Sequence, residues 1–280
     1  MPRRDQLKPL VEPTLIRLAD VPYVLWGNAE SGFVSDRFYL LSGQMILVTV
    51  VMPPGARFRS SDDYRPYFDT HECLYVLQGQ YTCQDPETGE TRTARQGEML
   101  FMPERRWHYG YNFGEEDLHL LECIAPPTNQ AALASVPRPA AIRFLDKAAV
   151  ADLPRRPSPS ATNLKLCSRQ TAVQSAAGFD NPVWMQIFAS TPRVCFAAVR
   201  LAAASRSDVL SLPFDVCYYA EAGVANLQVI GGEYFNLEPG DVVFLPAGTA
   251  HRLFNHARRV ADLLLGGAGS LEGLNVASDG

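Results

Sequence analysis

One short motif occurs twice in the chain, and it limits the possible folds more than any other feature. Segments 97–112 and 240–255 both read G-x5-P-x4-H-x3-N. Their four shared residues are separated by 143 positions, as from His108 to His251. Repetition at a fixed offset is the signature of a duplicated structural unit. The sequence therefore predicts two copies of one domain.

A second pair of matching segments lies upstream of the repeated motif. Residues 71–79 and 215–223 both contain Cys-x-Tyr at the same place and both end at a glycine. They are rich in aromatic and β-branched residues, which is typical of strands closed by turns. Turn-forming sequences, Asp-Pro-Glu-Thr-Gly at 85–89 and Gly-Gly at 231–232, follow them. The pattern predicts antiparallel hairpins in both halves.

The segment between the two copies marks the domain boundary. Seven prolines lie between residues 126 and 165, and so many prolines disfavour regular structure. We expect an N-terminal barrel with a strand extension over 1–125, a linker over 126–165 and a C-terminal barrel over 166–280. A short helix is predicted over 145–153, and a flexible Gly/Ser-rich tail from Gly266 onward.

Composition excludes several classes of function. The chain has 25 Lys and Arg against 30 Asp and Glu, a net charge of −5, whereas nucleic-acid binding favours a basic face. The longest apolar run, 45–54, is too short to span a membrane, and the N-terminus does not resemble a signal peptide. None of the six cysteines forms a C-x-x-C pair. We expect a cytoplasmic protein with reduced thiols and no nucleic-acid or membrane partner.

The repeated motif resembles the second conserved motif of the cupin superfamily. The resemblance covers about 45–125 and 190–265, and both copies match the family pattern at every fixed residue. It implies an all-β fold of two tandem antiparallel jelly-roll barrels, hence a bicupin. It also implies a homodimer and a small-molecule substrate.

The first cupin motif, H-x-H-x3-E-x6-G, is where the chain departs from the family. The resemblance implies metal ligands at its two His and its Glu, with the His of the second motif as a further ligand. In the N-terminal half Glu72 and His108 occupy two of these positions, but Pro66 and Phe68 replace the two histidines. In the C-terminal half Val216 replaces the Glu. That half retains only His251, which we expect to be a core or pocket residue with a hydrogen-bond partner.

The predicted metal site therefore lies in the N-terminal barrel and needs a third ligand. His71 is the nearest candidate, but neighbours on a regular strand face opposite sides. His71 and Glu72 reach one ion only if a β-bulge or strand end breaks the alternation. A one-residue slip would instead turn Asp69 and His71 inward and Glu72 outward. A ligand from the loop at 56–69, which is otherwise expected to lie over the barrel mouth, is a further possibility.

Two functional hypotheses follow. The first is a metal-dependent enzyme of the dioxygenase, isomerase, cyclase or hydrolase type that acts on a small anionic or oxygen-rich substrate. It would hold one divalent ion (Fe, Mn, Zn or Ni) on His71, Glu72 and His108, with Glu72 and His108 as catalytic residues. We expect substrate contacts from four further residues, of which the first would pair with an anion: Arg57, Met102, Trp107 and Tyr111.

The second hypothesis is a metal-free module that binds a small ligand or serves assembly. Glu72 and His108 would then form a buried polar pair. The two hypotheses differ in what surrounds this pair. An open cavity beside converging side chains favours the enzyme, whereas a barrel filled by Phe68, Leu100 and Met102 excludes it.

Overall fold

A computed structural model of the chain describes residues 9–128, 133, 135–139, 164–272 and 276–277. These residues form antiparallel strands and a 3-10 turn at Leu18–Asp20, which confirms the predicted all-β class. The strands of the N-terminal half are β1 Thr14–Ile16, β2 Val24–Asn28, β3 Gly32–Leu41, β4 Ile46–Met52, β5 Arg57–Phe58, β6 His71–Gln78, β7 Gln80–Gln84, β8 Thr91–Arg95, β9 Glu98–Met102, β10 Tyr109–Tyr111 and β11 Leu118–Ala125.

The second half repeats this arrangement. Its strands are β12 Lys165–Ser168, β13 Val173–Ala177, β14 Val183–Ser190, β15 Cys195–Leu201, β16 Ser205–Arg206, β17 Val209–Leu210, β18 Val216–Ala222, β19 Ala225–Val229, β20 Tyr234–Leu237, β21 Val242–Leu245, β22 His251–Asn255, β23 Ala261–Gly267 and β24 Val276–Ala277.

Each half forms a barrel of two sheets. In the N-terminal barrel a seven-stranded sheet, β12-β9-β6-β11-β4-β3-β2, packs on a four-stranded sheet, β5-β10-β7-β8. In the C-terminal barrel the corresponding orders are β1-β21-β18-β23-β15-β14-β13 and β20-β19-β22-β17-β24, with β16 paired to β22. The two larger sheets have equivalent strand orders, so the duplication in sequence is also a duplication of topology.

The two halves exchange edge strands. Strand β1 pairs with β21, Thr14 opposite Phe244, and β12 pairs with β9, Lys165 opposite Phe101. Each exchange covers a sheet edge that would otherwise expose unpaired backbone groups. Strand β1 therefore belongs to the sheet of the C-terminal barrel, although the sequence places it within the N-terminal domain predicted over 1–125.

Of two other predicted segments, the structure describes only part of one. The helix expected over 145–153 lies outside the described residues. The tail expected to be flexible begins within a strand, because Gly266 and Gly267 belong to β23. Further along, Val276–Ala277 pairs with β17. The glycines fit there because the strand passes close to neighbouring side chains: a Cβ on Gly266 would lie 2.9 Å from Cys123 Sγ.

The described residues form three hydrophobic cores, one inside each barrel and one between them. Strand β6 contributes to two of these cores. Leu74 and Val76 face the N-terminal barrel interior, whereas Cys73 and Tyr75 join the core between the barrels. The run 73–77 lacks polar alternation because both faces of the strand are buried.

The asparagine that ends each repeated motif closes a turn. The Asn112 side-chain amide donates to the carbonyls of Met52 (2.8 Å) and Glu116 (2.9 Å), and its oxygen accepts from the Gly114 N–H (2.9 Å). Asn255 makes equivalent contacts. Its side-chain amide donates to the carbonyls of Leu201, Ala202 and Arg259, and its side-chain oxygen accepts from the Ala257 N–H. Both side chains are fully buried.

Replacement of either asparagine by alanine should destabilise its barrel. Asn112→Ala and Asn255→Ala each leave buried backbone groups without partners, which we expect to lower the free energy of unfolding by about 3 kcal/mol. Urea unfolding monitored by tryptophan fluorescence measures the change. The exposed Gln96→Ala is the control and should cost less than about 0.5 kcal/mol. Losses near the control value for both asparagines would show that these bonds do not hold the turns.

Candidate functional site: a cavity in the N-terminal barrel

Glu72 and His108 meet inside the N-terminal barrel. Glu72 lies on β6, and His108 lies immediately before β10. The Oε2 atom of Glu72 is 3.6 Å from Nε2 of His108, and the two residues are 1% and 4% exposed. This separation is longer than a good hydrogen bond. The two side chains are therefore close neighbours at more than hydrogen-bond length.

A cavity of about 100 Å³ lies beside this pair, and His108 forms part of its wall. The wall is mostly apolar, with aliphatic residues from β3, β4, β6 and β11. Its aromatic members are Trp26, Phe38, Phe58, Tyr64, Phe68 and Tyr81. Its polar side chains are Asp36, Arg65, His108 and Glu122. An apolar pocket with a few converging polar groups is the common form of a small-molecule site.

Burial sets the charge of His108. Loss of solvation lowers the pKa of His108 to about 4, against weaker opposing effects of the Arg106 carbonyl and the Asp85 charge. The imidazole is therefore neutral near pH 7. A neutral ring has one donor and one acceptor nitrogen, so His108 can either give or accept a hydrogen bond on the cavity wall.

His71 does not join the pair. Residues 71–76 pair with β11 without a register break, so neither a bulge nor a one-residue slip occurs there. Alternation therefore turns His71 away from the barrel interior. Its ring lies edge-on to Phe101, with centroids 5.3 Å apart, and its Nδ1 is hydrogen-bonded to Thr191 Oγ1 at 3.3 Å.

The position of a lost family histidine is filled by an aromatic ring. The backbone N–H of His108 donates to the Pro66 carbonyl at 3.1 Å. This bond holds the segment that contains Pro66 and Phe68 against the barrel. The Phe68 ring then packs on the His108 ring with centroids 5.6 Å apart. Among the described residues, no group of three His, Cys, Asp or Glu side chains is arranged to hold a metal ion.

The donor set is smaller than that of the metal site that the resemblance implies. Glu72 and His108 supply two donors, whereas protein sites for such ions supply at least three. The other two ligand positions of the family are occupied here by Pro66 and Phe68, whose side chains have no atom that can bind a metal ion. The described residues therefore do not fit a resident divalent ion.

The predicted substrate residues lie outside the cavity wall. Arg57 is exposed on β5, and Met102 is buried opposite Glu72 on the neighbouring strand. Trp107 is 1% exposed and packs on Tyr67, with ring centroids 5.1 Å apart.

Tyr111 is also part of the barrel packing. Its hydroxyl donates to Gln84 Oε1 at 2.9 Å, and its ring stacks on Phe113. The aromatic residues around His108 in sequence therefore build the barrel, because alternation and the turn before β10 direct them away from the cavity.

Several residues of the cavity wall were not predicted from the sequence, although the sequence pattern around two of them is unusual. In β3 and β11 the inward positions are apolar except for Asp36 and Glu122. An acid at an inward position of an otherwise apolar strand is uncommon and points to a site. The loop expected over the barrel mouth also contributes, through Tyr64, Arg65 and Phe68.

The second barrel uses its histidine differently. His251 Nδ1 lies 2.9 Å from the Thr249 carbonyl, which only accepts, so Nδ1 carries the proton. Nε2 then accepts from the Tyr218 hydroxyl at 2.9 Å. Both ring nitrogens are satisfied and the residue is fully buried. His251 is thus a core histidine with a hydrogen-bond partner, as predicted.

Sequence positions explain the difference between the barrels. Cys73 and Cys217 are equivalent in the two halves, so Leu74 corresponds to Tyr218 and Glu72 to Val216. Tyr218 extends into the C-terminal barrel and binds its histidine. The smaller Leu74 lines the cavity of the N-terminal barrel.

Comparison with known proteins agrees with this architecture. A family model described as "Cupin domain" matches residues 48–124. Two solved structures of Bacillus subtilis oxalate decarboxylase, both of variants, share the fold. A deletion variant is 15% identical with a TM-score of 0.65, covering 94% of this chain and 79% of that chain. A point variant is 14% identical with a TM-score of 0.63, covering 97% and 80%.

The fold and the repeated motif together define a two-barrel, bicupin architecture. Residues 48–124 match the cupin domain family, and the solved structures share the two-barrel fold of the chain. A search of curated proteins gave no match. Within the described part of the chain, no helix has the length and apolar character needed to cross a membrane.

The buried His251 should make the protein less stable in acid. Burial lowers its pKa to about 4, whereas an unfolded histidine titrates near about 6.5. The unfolded state therefore binds the proton more readily, and this contribution to stability is present above about pH 6.5 and decreases as pH falls toward 4. Between about pH 7.5 and 5, we expect a loss of about 2 kcal/mol from this residue.

Urea unfolding of wild type and His251→Asn at several pH values measures this effect. The variant should be less stable near neutral pH but should show a shallower decline toward pH 5. A decline of equal slope in both proteins would rule out His251 as its cause.

Proposed function

We propose that the protein binds a small organic molecule in the cavity of its N-terminal barrel, without a resident metal ion. One observation carries this proposal: the His108 imidazole lies on the wall of an apolar cavity with Glu72 Oε2 3.6 Å away, and the described residues bring no three metal-ligating side chains together there. This corresponds to the ligand-binding member of the two hypotheses. The C-terminal barrel then serves as scaffold.

The size and lining of the cavity support a ligand rather than water alone. A volume of about 100 Å³ is several times what one water molecule needs. The apolar wall would release water on binding, which favours an organic body. His108 offers one hydrogen-bonding nitrogen to a polar group of the ligand, while Glu72 at 3.6 Å stabilises the ring's orientation.

A fragment screen by ligand-observed NMR, run on wild type and Val50→Phe, tests the proposal. Val50 lies on the cavity wall, so a phenyl ring there should occupy the ligand space. We expect hits on wild type to lose at least about tenfold in affinity in Val50→Phe, equivalent to about 1.4 kcal/mol.

A matched control comes from the duplicated barrel. Val199 occupies the corresponding strand, β15, and belongs to the packed core of the C-terminal barrel. Val199→Phe should cost about 2 kcal/mol of stability through overpacking but should leave fragment binding unchanged. Fragment binding that survives Val50→Phe at full affinity would place the ligand elsewhere.

The second candidate function is the metal-dependent enzyme acting on an anionic or oxygen-rich substrate. One observation favours it. The 3.6 Å between Glu72 Oε2 and His108 Nε2 is near the roughly 3–3.5 Å that separates two donors bound to one ion at about 2.1 Å each. The fold is also shared with proteins named for oxalate decarboxylation.

Elemental analysis of tag-free protein, purified without chelator, separates the two candidates. From the incomplete donor set we expect less than about 0.1 divalent ion per chain, even after incubation with Mn, Fe, Zn or Ni salts. About one ion per chain, lost in His108→Ala and Glu72→Gln but retained in His251→Ala, would replace our proposal by the metal-dependent enzyme.

A further inference from the structure

Three of the aromatic residues that line the cavity contact one another. The Trp26 ring contacts Phe58 edge-on, with centroids 4.5 Å apart, and stacks on Tyr64 at 5.1 Å. Tyr81, 4% exposed, also lines the wall. The faces of aromatic rings carry partial negative charge, so several rings around one space attract a cation.

Two carboxylates lie on the same wall. Asp36 on β3 and Glu122 on β11 both face the cavity from within apolar strands. The Trp26 indole N–H donates to Asp36 Oδ2, which joins the acid to the aromatic surface. An indole N–H can only donate, so Asp36 is the acceptor of this bond through its Oδ2 atom.

Among the described residues of the cavity wall, the two acids outnumber the arginines. Arg65 is the base among the described wall residues, and its Nη1 donates to the Val136 carbonyl. Arg57, the residue expected to attract an anion, is exposed on β5 and does not line the cavity. Burial keeps the pKa of His108 low, so its ring adds no positive charge near pH 7.

We propose that the N-terminal cavity selects an organic cation, an amine or quaternary ammonium compound with an apolar body. This inference rests on the proposed function and specifies its ligand class. The cationic group would lie against Trp26 and Tyr64 with Asp36 beside it, and the apolar body would extend along the aliphatic wall. The charge differs from the anionic substrate that the sequence favours, because the acids become neighbours of the aromatic rings only in the folded barrel.

Matched probes of nearly equal shape test the sign of the charge. The first set is choline, its neutral analogue in which a tert-butyl group replaces trimethylammonium, and pivalate. The second set is butylammonium, butanol and butyrate. Isothermal titration of the full chain near pH 7 and at low salt measures each affinity. We expect each cation to bind at least about tenfold more tightly than its neutral analogue and the anions to bind weakest.

Carboxamide variants identify the groups responsible. Glu122→Gln and Asp36→Asn should each weaken cation binding about five- to thirtyfold while changing the affinity of the neutral analogues by less than about twofold. Asp117→Asn, an exposed carboxylate on the same barrel, is the control and should change neither. If Asp36→Asn does not fold, Glu122→Gln alone provides the comparison.

The outcomes separate this inference from the proposed function. Neutral probes that bind as tightly as the cations, or anions that bind tightest, would overturn the cation inference while leaving a ligand site in the barrel. Fragment binding that is sensitive to Val50→Phe, with no binding of either cation, would do the same. Cation binding that survives in Val50→Phe would place the cation site outside the cavity and overturn the inference.

Discussion

The structure depends on strands that bury both of their faces. In β6 the even positions face the interior of the N-terminal barrel and the odd positions face the core shared with the other barrel. Tyr75 crosses that shared core, and its hydroxyl donates to Glu221 Oε1 at 2.7 Å. Arg169 donates to both Tyr75 Oη and Glu221 Oε2. This partly buried contact between the halves supports the register of β6 in which Glu72, and not His71, is directed into the N-terminal barrel.

The duplicated barrels show how one local pattern serves two purposes. In both, the histidine follows a turn that begins after a proline, and the asparagine closes the next turn. In the C-terminal barrel Tyr218 occupies the interior and satisfies His251. In the N-terminal barrel Leu74 leaves space, and His108 lies beside Glu72 at the edge of a cavity. A difference in side-chain size at one inward position thus contributes to the difference between a packed core and a candidate binding site.

The metal site illustrates the limit of motif-based inference. The motif positions of Glu72 and His108 predicted that these two side chains converge, and they lie 3.6 Å apart. His71 adjoins Glu72 in sequence but lies on the other face of the strand, since a regular strand alternates. A short motif fixes which residues occupy neighbouring positions, but the completeness of a ligand set also depends on the direction in which each side chain points.

The sequence by itself determined the two β-barrels, the turns of the repeated motif and the meeting of Glu72 with His108. These features follow from the strand and turn preferences of short segments and from a motif repeated at constant spacing. Both can be read from one sequence. Tertiary structure alone decided the strand exchange of β1 and β12, the outward position of His71 and the assembly of Trp26, Asp36 and Glu122 around one cavity. These depend on pairing between strands distant in sequence and on burial of both sheet faces, which a two-residue alternation cannot specify.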